Sequence, residues 1–339
     1  MTVTHSLTEI VRNLRKCVGH NSKICLALTT SNEDSNYESY LGGCRIYQDF
    51  AILSIINLGQ IELSALIPNL RQLNLYYLLV DTDKKHPFEL SDSSLYLSNL
   101  VSELMSADFT NIVPFSSTKL TADSVVNKLL KMYGYNLSGI SMCLVGLGSI
   151  GFQVALDLVR QGVNINVHSR DHIKALQLAG TINILKSQYT IASASYFSNL
   201  NTALALSTVL IDCSSAEDLY QSSHKPFMER LSGILTVSKR SFSSDLIKSL
   251  TGHVEIIRTD ISHEIINLVL SSYNEIVYNA FPGFKHIGDI RLVSGGFKGI
   301  PGDIVVDSVD NPLIVIGMIN SQFRIEPIYK CYNEWLNSD

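Results

Sequence analysis

Gly146-Leu147-Gly148-Ser149-Ile150-Gly151 spaces three glycines as GxGxxG, directly after the apolar run Ile140–Val145. In that pattern the first glycine permits a tight turn. The second lets main chain approach a diphosphate, and the third lets the following helix pack on the strand. The amides opening that helix, with its dipole behind them, attract phosphate. Gly146, Gly148, Ser149, Ile150 and Gly151 are therefore the expected diphosphate cradle. The next strand-like run ends in His168-Ser169-Arg170-Asp171. An acid about 20 residues on grips the ribose hydroxyls of NAD. A guanidinium beside a hydroxyl suits the 2'-phosphate of NADP. Ser169 and Arg170 come first in the loop, so NADP is the expected cofactor. NAD is the alternative, and Asp171 either takes its ribose or caps the next helix.

Other groups suit acid–base work. Asp81-Thr82-Asp83-Lys84-Lys85 follows the apolar run Leu75–Val80. An Asp81–Lys84 pair at a strand end can orient a substrate and pass a proton during hydride transfer. Tyr40 and Arg45 are candidates to face the same cleft, and Lys239 is a candidate acid or base after a later strand. Cys213 and Ser214 end the run TVLIDC, where a turn beside a nicotinamide is expected. Cys44, beside Arg45, is the candidate for a second chemistry. A thiolate there attacks a thioester before reduction, against the plainer reading of a packing cysteine. Gly295–Asp303 is dense in glycine and reads equally as a lid or a hairpin connection. The histidines and the six cysteines, at 17, 25, 44, 143, 213 and 331, lack metal-ligand spacing. No metal is expected.

The elements that must position these groups alternate helix and strand. Helices are expected over 7–16, 37–49 and 62–73, with strands at 23–28, 51–58 and 75–80, which describes a small parallel α/β domain. Thr121 is the expected cap of a connecting helix over 122–133. Strand and helix then alternate from Ile140 through 150–161, 163–168, 171–179, 208–213, 234–238, 242–250 and 254–257. A helix over 262–278, a glycine-rich region, a strand at 313–316 and a final helix near 326–336 complete the chain. The expected domains are 1–120 (substrate), 121–305 (dinucleotide) and 306–339 (strand and returning helix).

Composition fits that architecture. Apolar residues make up 46% and charged residues 17%, enough for packed cores. The net charge is -5 with no block of one sign, so no nucleic-acid partner is expected. The charge-free stretches 132–156 and 187–211 contain glycine or Ser, Thr and Asn, unlike a membrane span. The N-terminus lacks the apolar core of a signal peptide. The thiols show no disulfide framework, so a cytoplasmic protein is expected.

The ordering resembles the amino-acid-dehydrogenase-like superfamily, which includes methylenetetrahydrofolate dehydrogenase/cyclohydrolase, shikimate dehydrogenase and glutamyl-tRNA reductase. Ser35–Arg45 falls where the folate enzyme has a Tyr-Val-x-x-Lys helix, and Leu66–Asp81 where a helix leads to a strand ending in a glutamine. Val113–Ser117 falls on its Pro-Cys-Thr-Pro, and Tyr133–Ile140 on the approach to its cofactor strand. Val167–Arg170 is similar to its His-Ser and to the Asn-Arg-Thr of shikimate dehydrogenase. With Tyr40 on the tyrosine, the lysine position carries Gly43 and the glutamine position carries Asp81. The resemblance therefore implies the fold and the cofactor, and sets cyclohydrolase chemistry aside. It implies an N-terminal α/β domain, a doubly wound Rossmann domain and a C-terminal helix returning to the first. The expected activity is NADP-dependent hydride transfer with a small polar biosynthetic substrate in the interdomain cleft of a homodimer. The alternatives are a cysteine-dependent acyl reductase and a non-catalytic nucleotide-sensing scaffold.

Overall fold

The computed structural model describes residues 22–29, 40–56, 73–84, 111–238, 240–279, 283–294 and 299–336. It also describes shorter pieces between 9 and 15, at 70, and between 88 and 101. The chain divides into two compact units, Met1–Asn267 and Leu268–Asp339.

The first unit opens with strands β1 (Lys23–Thr29), β2 (Tyr40–Leu41), β3 (Arg45–Tyr47), β4 (Phe50–Ile56) and β5 (Tyr77–Asp81). A small hairpin, β6 (Phe88–Leu90) and β7 (Ser93–Leu95), precedes β8 (Ile112–Phe115). β4, β1, β5 and β8 are neighbours in that order and run parallel. Both faces of a parallel sheet are covered, so its strands read as unbroken apolar runs such as ICLAL in β1. Their carboxyl ends, at Thr29, Ile56, Asp81 and Phe115, fall on one edge.

One expectation fails here. The segment expected as a helix over 37–49 contains β2 and β3, which pair antiparallel with β4. Gly42-Gly43 interrupts any helical run, and Arg45-Ile46-Tyr47 fits the pleated edge that β4 offers. The Tyr-Val-x-x-Lys helix of the resemblance is therefore absent at positions 40–41 and 45–47. The expected helix over 62–73 lies mostly outside the described residues.

α1 (Ser117–Met132) leads to the second sheet. It starts four residues before the expected cap: Ser116 accepts from the Lys119 amide at 3.1 Å. The Thr121 hydroxyl instead donates back to Ser117 O at 2.7 Å. Then follow β9 (Ser141–Val145), α2 (Ser149–Arg160), β10 (Asn164–His168), α3 (His172–Leu185), β11 (Ala194–Tyr196), α4 (Leu200–Ala205), β12 (Val209–Asp212), α5 (Lys225–Met228), β13 (Gly233–Thr236), α6 (Ser244–Leu250), β14 (Ile256–Arg258) and α7 (Ser262–Asn279). The spatial order β11-β10-β9-β12-β13-β14, parallel throughout, is the 3-2-1-4-5-6 order of the doubly wound Rossmann sheet. One face packs under α1, α2 and α3 through Val125, Leu129, Val154, Leu158 and Ile182. The other packs under α4, α5 and α6 through Leu204, Met228 and Leu246. Each such buried side chain contributes roughly 1.5–3 kcal/mol.

The second unit is a five-stranded sheet of β15 (Phe284–Ile287), β16 (Ile290–Val293), β17 (Ile304–Val306), β18 (Ile314–Ile319) and β19 (Ile325–Cys331), in that order. Only β16 and β17 pair parallel. The glycine-dense 295–303 joins β16 to β17, which pair parallel, so it is not a hairpin connection; 295–298 lie outside the described residues, and the β15–β16 hairpin turns at Gly288-Asp289. The last helix, α8 (Tyr332–Leu336), is shorter than the expected 326–336. Ile325–Cys331 forms the edge strand instead, where Pro327 is tolerated. Tyr332 and Trp335 of α8 pack on this unit's own core, with Leu292, Ile304 and Val315.

Candidate functional site

Strand register brings the cofactor candidates together. Val145 of β9 is flanked by His168 of β10 and Asp212 of β12. The Gly146 turn, the Ser169-Arg170 loop and the Cys213-Ser214 turn therefore leave the same edge of the sheet. They leave it where the strand order reverses, the crevice in which open α/β sheets bind ligands. Gly146 is tied to His168 O at 2.9 Å, and Cys213 N to Val145 O at 2.8 Å.

Each glycine has a separate reason to be glycine. Gly146 has φ +90°, and a Cβ on it would lie 2.7 Å from Ser214 N. A Cβ on Gly151 would lie 2.0 Å from Gly146 O, so the helix reaches the turn only without one. A Cβ on Gly148 would meet nothing within 4 Å: that space is open. Gly148 is the N-cap of α2 and no side chain caps it. By contrast Ser116, Asp171, Asn199 and Ser243 cap α1, α3, α4 and α6 with their own oxygens. The first amides of α2, at exposed Ser149 and half-buried Ile150, are left for an external acceptor.

On the second strand, Asp171 accepts from Lys174 N at 3.0 Å and so caps α3. Ser169 is half-buried and Arg170 is exposed in the loop before it.

Asp212, missed by sequence reasoning, anchors the opposing turn. It is fully buried. It accepts from Ser214 N at 3.1 Å, Ser214 Oγ at 2.7 Å, Thr236 Oγ1 at 2.9 Å and the Ser241 hydroxyl. A carboxylate inside the apolar run TVLIDC was the available signal, because such a group must be paired. Burial, and then the charge of Asp212, pushes the Cys213 thiol up, so it is a neutral thiol beside the turn.

A second feature lies at the carboxyl edge of the first sheet. A pocket of about 130 Å³ is lined by Thr29, Ser54, Ile56 and Phe115 from that sheet and by Gly42, Gly43 and Arg45 from the β2–β3 region. Its far wall is Asp260, Ile261, Ser262 and Ile265, which follow β14 of the Rossmann sheet. Arg45 Nη2 meets Asp260 Oδ2 at 2.6 Å across it. The Ser124 hydroxyl holds Asp260 O at 3.0 Å. Partial burial opposes ionisation of Asp260. Hydrogen bonds from the hydroxyl and amide of Ser262, together with Arg45, outweigh it and hold the carboxyl below its usual range.

The acid–base candidates differ in setting. Asp81 is buried behind the pocket and accepts from Thr29 Oγ1 at 2.7 Å, Asp83 N at 3.1 Å and Ser117 N at 3.3 Å. It reaches the pocket through Thr29, which sequence reasoning missed. Lys84 is exposed, and Tyr40 is exposed on β2; neither lines the pocket. Lys239 and Lys85 lie outside the described residues. Cys44 is exposed, and burial of its sulfur raises its pKa more than Arg45 lowers it. The activation that a nucleophilic thiol needs is missing.

Fold and site together define an α/β protein in which a smaller parallel sheet precedes a Rossmann sheet with a glycine turn at its switch point. No protein-family model matches the chain, and no curated protein matches it. Solved structures similar to it include L-tryptophan dehydrogenase from Nostoc punctiforme (14% identity, 75% of each chain, TM-score 0.44). They also include shikimate 5-dehydrogenase from Listeria monocytogenes (14%, 78% of this chain and 97% of that one, TM-score 0.41). A third is quinate dehydrogenase from Corynebacterium glutamicum (14%, 75% and 93%, TM-score 0.42). Among the described residues, no helix is long and apolar enough to cross a membrane.

Proposed function

We propose that this chain is an NADP-dependent oxidoreductase that transfers a hydride to or from a small polar substrate. The observation that carries the reading is the uncapped start of α2, with open space over Gly148 at the switch point. When bound, the nicotinamide supplies or accepts the hydride.

The chain's own residues do the rest. The amides of Gly148–Gly151 hold the diphosphate. Ser169 and Arg170 take the 2'-phosphate, a role open to them because Asp171 is committed to its helix. The Cys213-Ser214 turn, fixed by Asp212, would bound the cofactor on the side of β12. The pocket beside Arg45 and Asp260 takes the substrate. Thr29 accepts a proton from the reacting hydroxyl and passes its own to Asp81, or the reverse in reduction. The thiol route lacks support, since Cys44 is not activated.

The test is a titration of the purified chain with NADPH and NADH, followed by nicotinamide fluorescence. Saturable binding, tighter for NADPH, is expected. No response to either coenzyme at millimolar concentration overturns the proposal.

A further inference from the structure

α3 has two apolar faces. Ala175, Ala179 and Ile182 are buried against the sheet. The opposite face carries Ile173, Gln177, Gly180 and Ile184, and a solvent-facing stripe normally carries charge. Here Lys174 is the one acidic or basic residue besides His172 in HIKALQLAGTINIL. Ile173 is 60% exposed, Leu176 62% and Ile184 82%. The loop that follows adds Tyr189 at 88% and Ile191 at 100%. That loop is tied to the helix: Asn183 donates to Ala194 O at 2.8 Å and accepts from Ala194 N at 2.9 Å.

The stripe reads alike from either end. Ile173, Gln177, Gly180 and Ile184 are spaced by four, three and four residues. Turned end for end about a two-fold axis, a second α3 sets its Ile184 on Ile173 and its Gly180 on Gln177. Lys174 then falls opposite Asn183, so no like charges meet. A Cβ on Gly180 would meet nothing within 4 Å, which leaves room for the opposing Gln177 and for close approach. This is the self-complementarity that a two-fold interface requires. Five exposed large apolar side chains within one helix and its following loop are more than the singly scattered ones that need no explanation, and mark an interaction surface. We infer that the outward face of α3 docks a second copy of this chain, antiparallel, with Ile173 of each copy against Ile184 of the other.

Sedimentation of the full chain tests this. The unmodified protein is expected to be a dimer at micromolar concentration. Ile173→Lys and Ile184→Glu, each alone, should weaken association at least about 100-fold, with circular dichroism melts showing that both still fold. Combined in one chain they should bring association back to within about tenfold, because the two opposite charges meet across the axis. A chain that stays monomeric at about 100 µM overturns the inference. So does a dimer indifferent to either single change, or a double variant no stronger than the singles.

Discussion

The backbone nitrogen of Ser214 occupies the space a side chain on Gly146 would need: a Cβ there would lie 2.7 Å from it. The glycine turn and the turn after β12 are therefore fitted against each other as bare main chain. Gly148 stands two residues away with nothing within 4 Å of its missing Cβ. The two positions should respond oppositely to one methyl group.

Gly146→Ala should cost about 2–4 kcal/mol, from a positive φ and main-chain overlap, read as a lowered Tm. Gly148→Ala should cost within about 1 kcal/mol and leave the melt almost unchanged. On the proposed function its methyl would enter the open space assigned to a diphosphate, so NADPH affinity should fall tenfold or more by fluorescence titration. A Gly148→Ala protein that binds NADPH normally would place the ligand elsewhere.

Arg170→Ala should raise the Kd for NADPH by roughly 10–100-fold, the loss of a charge-assisted bidentate contact, while NADH binding moves less than about threefold. Asp171→Ala tests the other assignment of this loop. It should lower stability by about 1 kcal/mol through the lost cap and leave the NADPH-to-NADH preference intact.

How much of this was legible beforehand follows from the range of the signals. The Rossmann half could be read because its strands are buried on both faces and its glycine pattern falls within 30 residues of sequence, although what constrains Gly146 is the distant Ser214 turn. Asp171 showed both its roles in sequence, and only the geometry chose the cap. The β2–β3 segment was misread because what makes Arg45–Tyr47 a strand is the edge of β4, a tertiary partner that overrides local pattern. Thr29 and the Asp260–Ser262 pair were invisible for a similar reason: they line one pocket from more than 200 residues apart in sequence. Residues 326–331 were read as the start of the last helix, where a proline in the first turn such as Pro327 is tolerated. Their pairing with β18 decides the matter.

Asp212 should be a positioning residue of unusual cost. Asp212→Ala leaves the buried hydroxyls of Thr236 and Ser241 without their carboxylate and releases half-buried Ser214, which predicts a loss of about 3–5 kcal/mol. Asp212→Asn keeps the shape and one acceptor, so it should fold with a smaller loss. Because the Ser214 hydrogen bonds hold the turn against Gly146, NADPH affinity should nonetheless fall in Asp212→Asn. Equilibrium denaturation and cofactor titration, run on both variants, separate the two effects.

The Arg45–Asp260 pair predicts a pH dependence with a definite sign. The Asp260 pKa in the fold lies below its ordinary value. Its contribution is therefore fully present above the unfolded-state value of about 3.9 and is lost as pH falls through the folded value. Both side chains are about half exposed (43% and 59%), so the stabilisation should stay below about 1 kcal/mol and shrink with added salt. Asp260→Asn should accordingly differ from the parent by a constant small amount between pH 5 and 8, and the difference should close below about pH 4. Denaturant midpoints measured across that range check it. A gap that persists unchanged well below the folded value would mean that it does not arise from the carboxylate charge, to which both Ser262 and Arg45 are coupled.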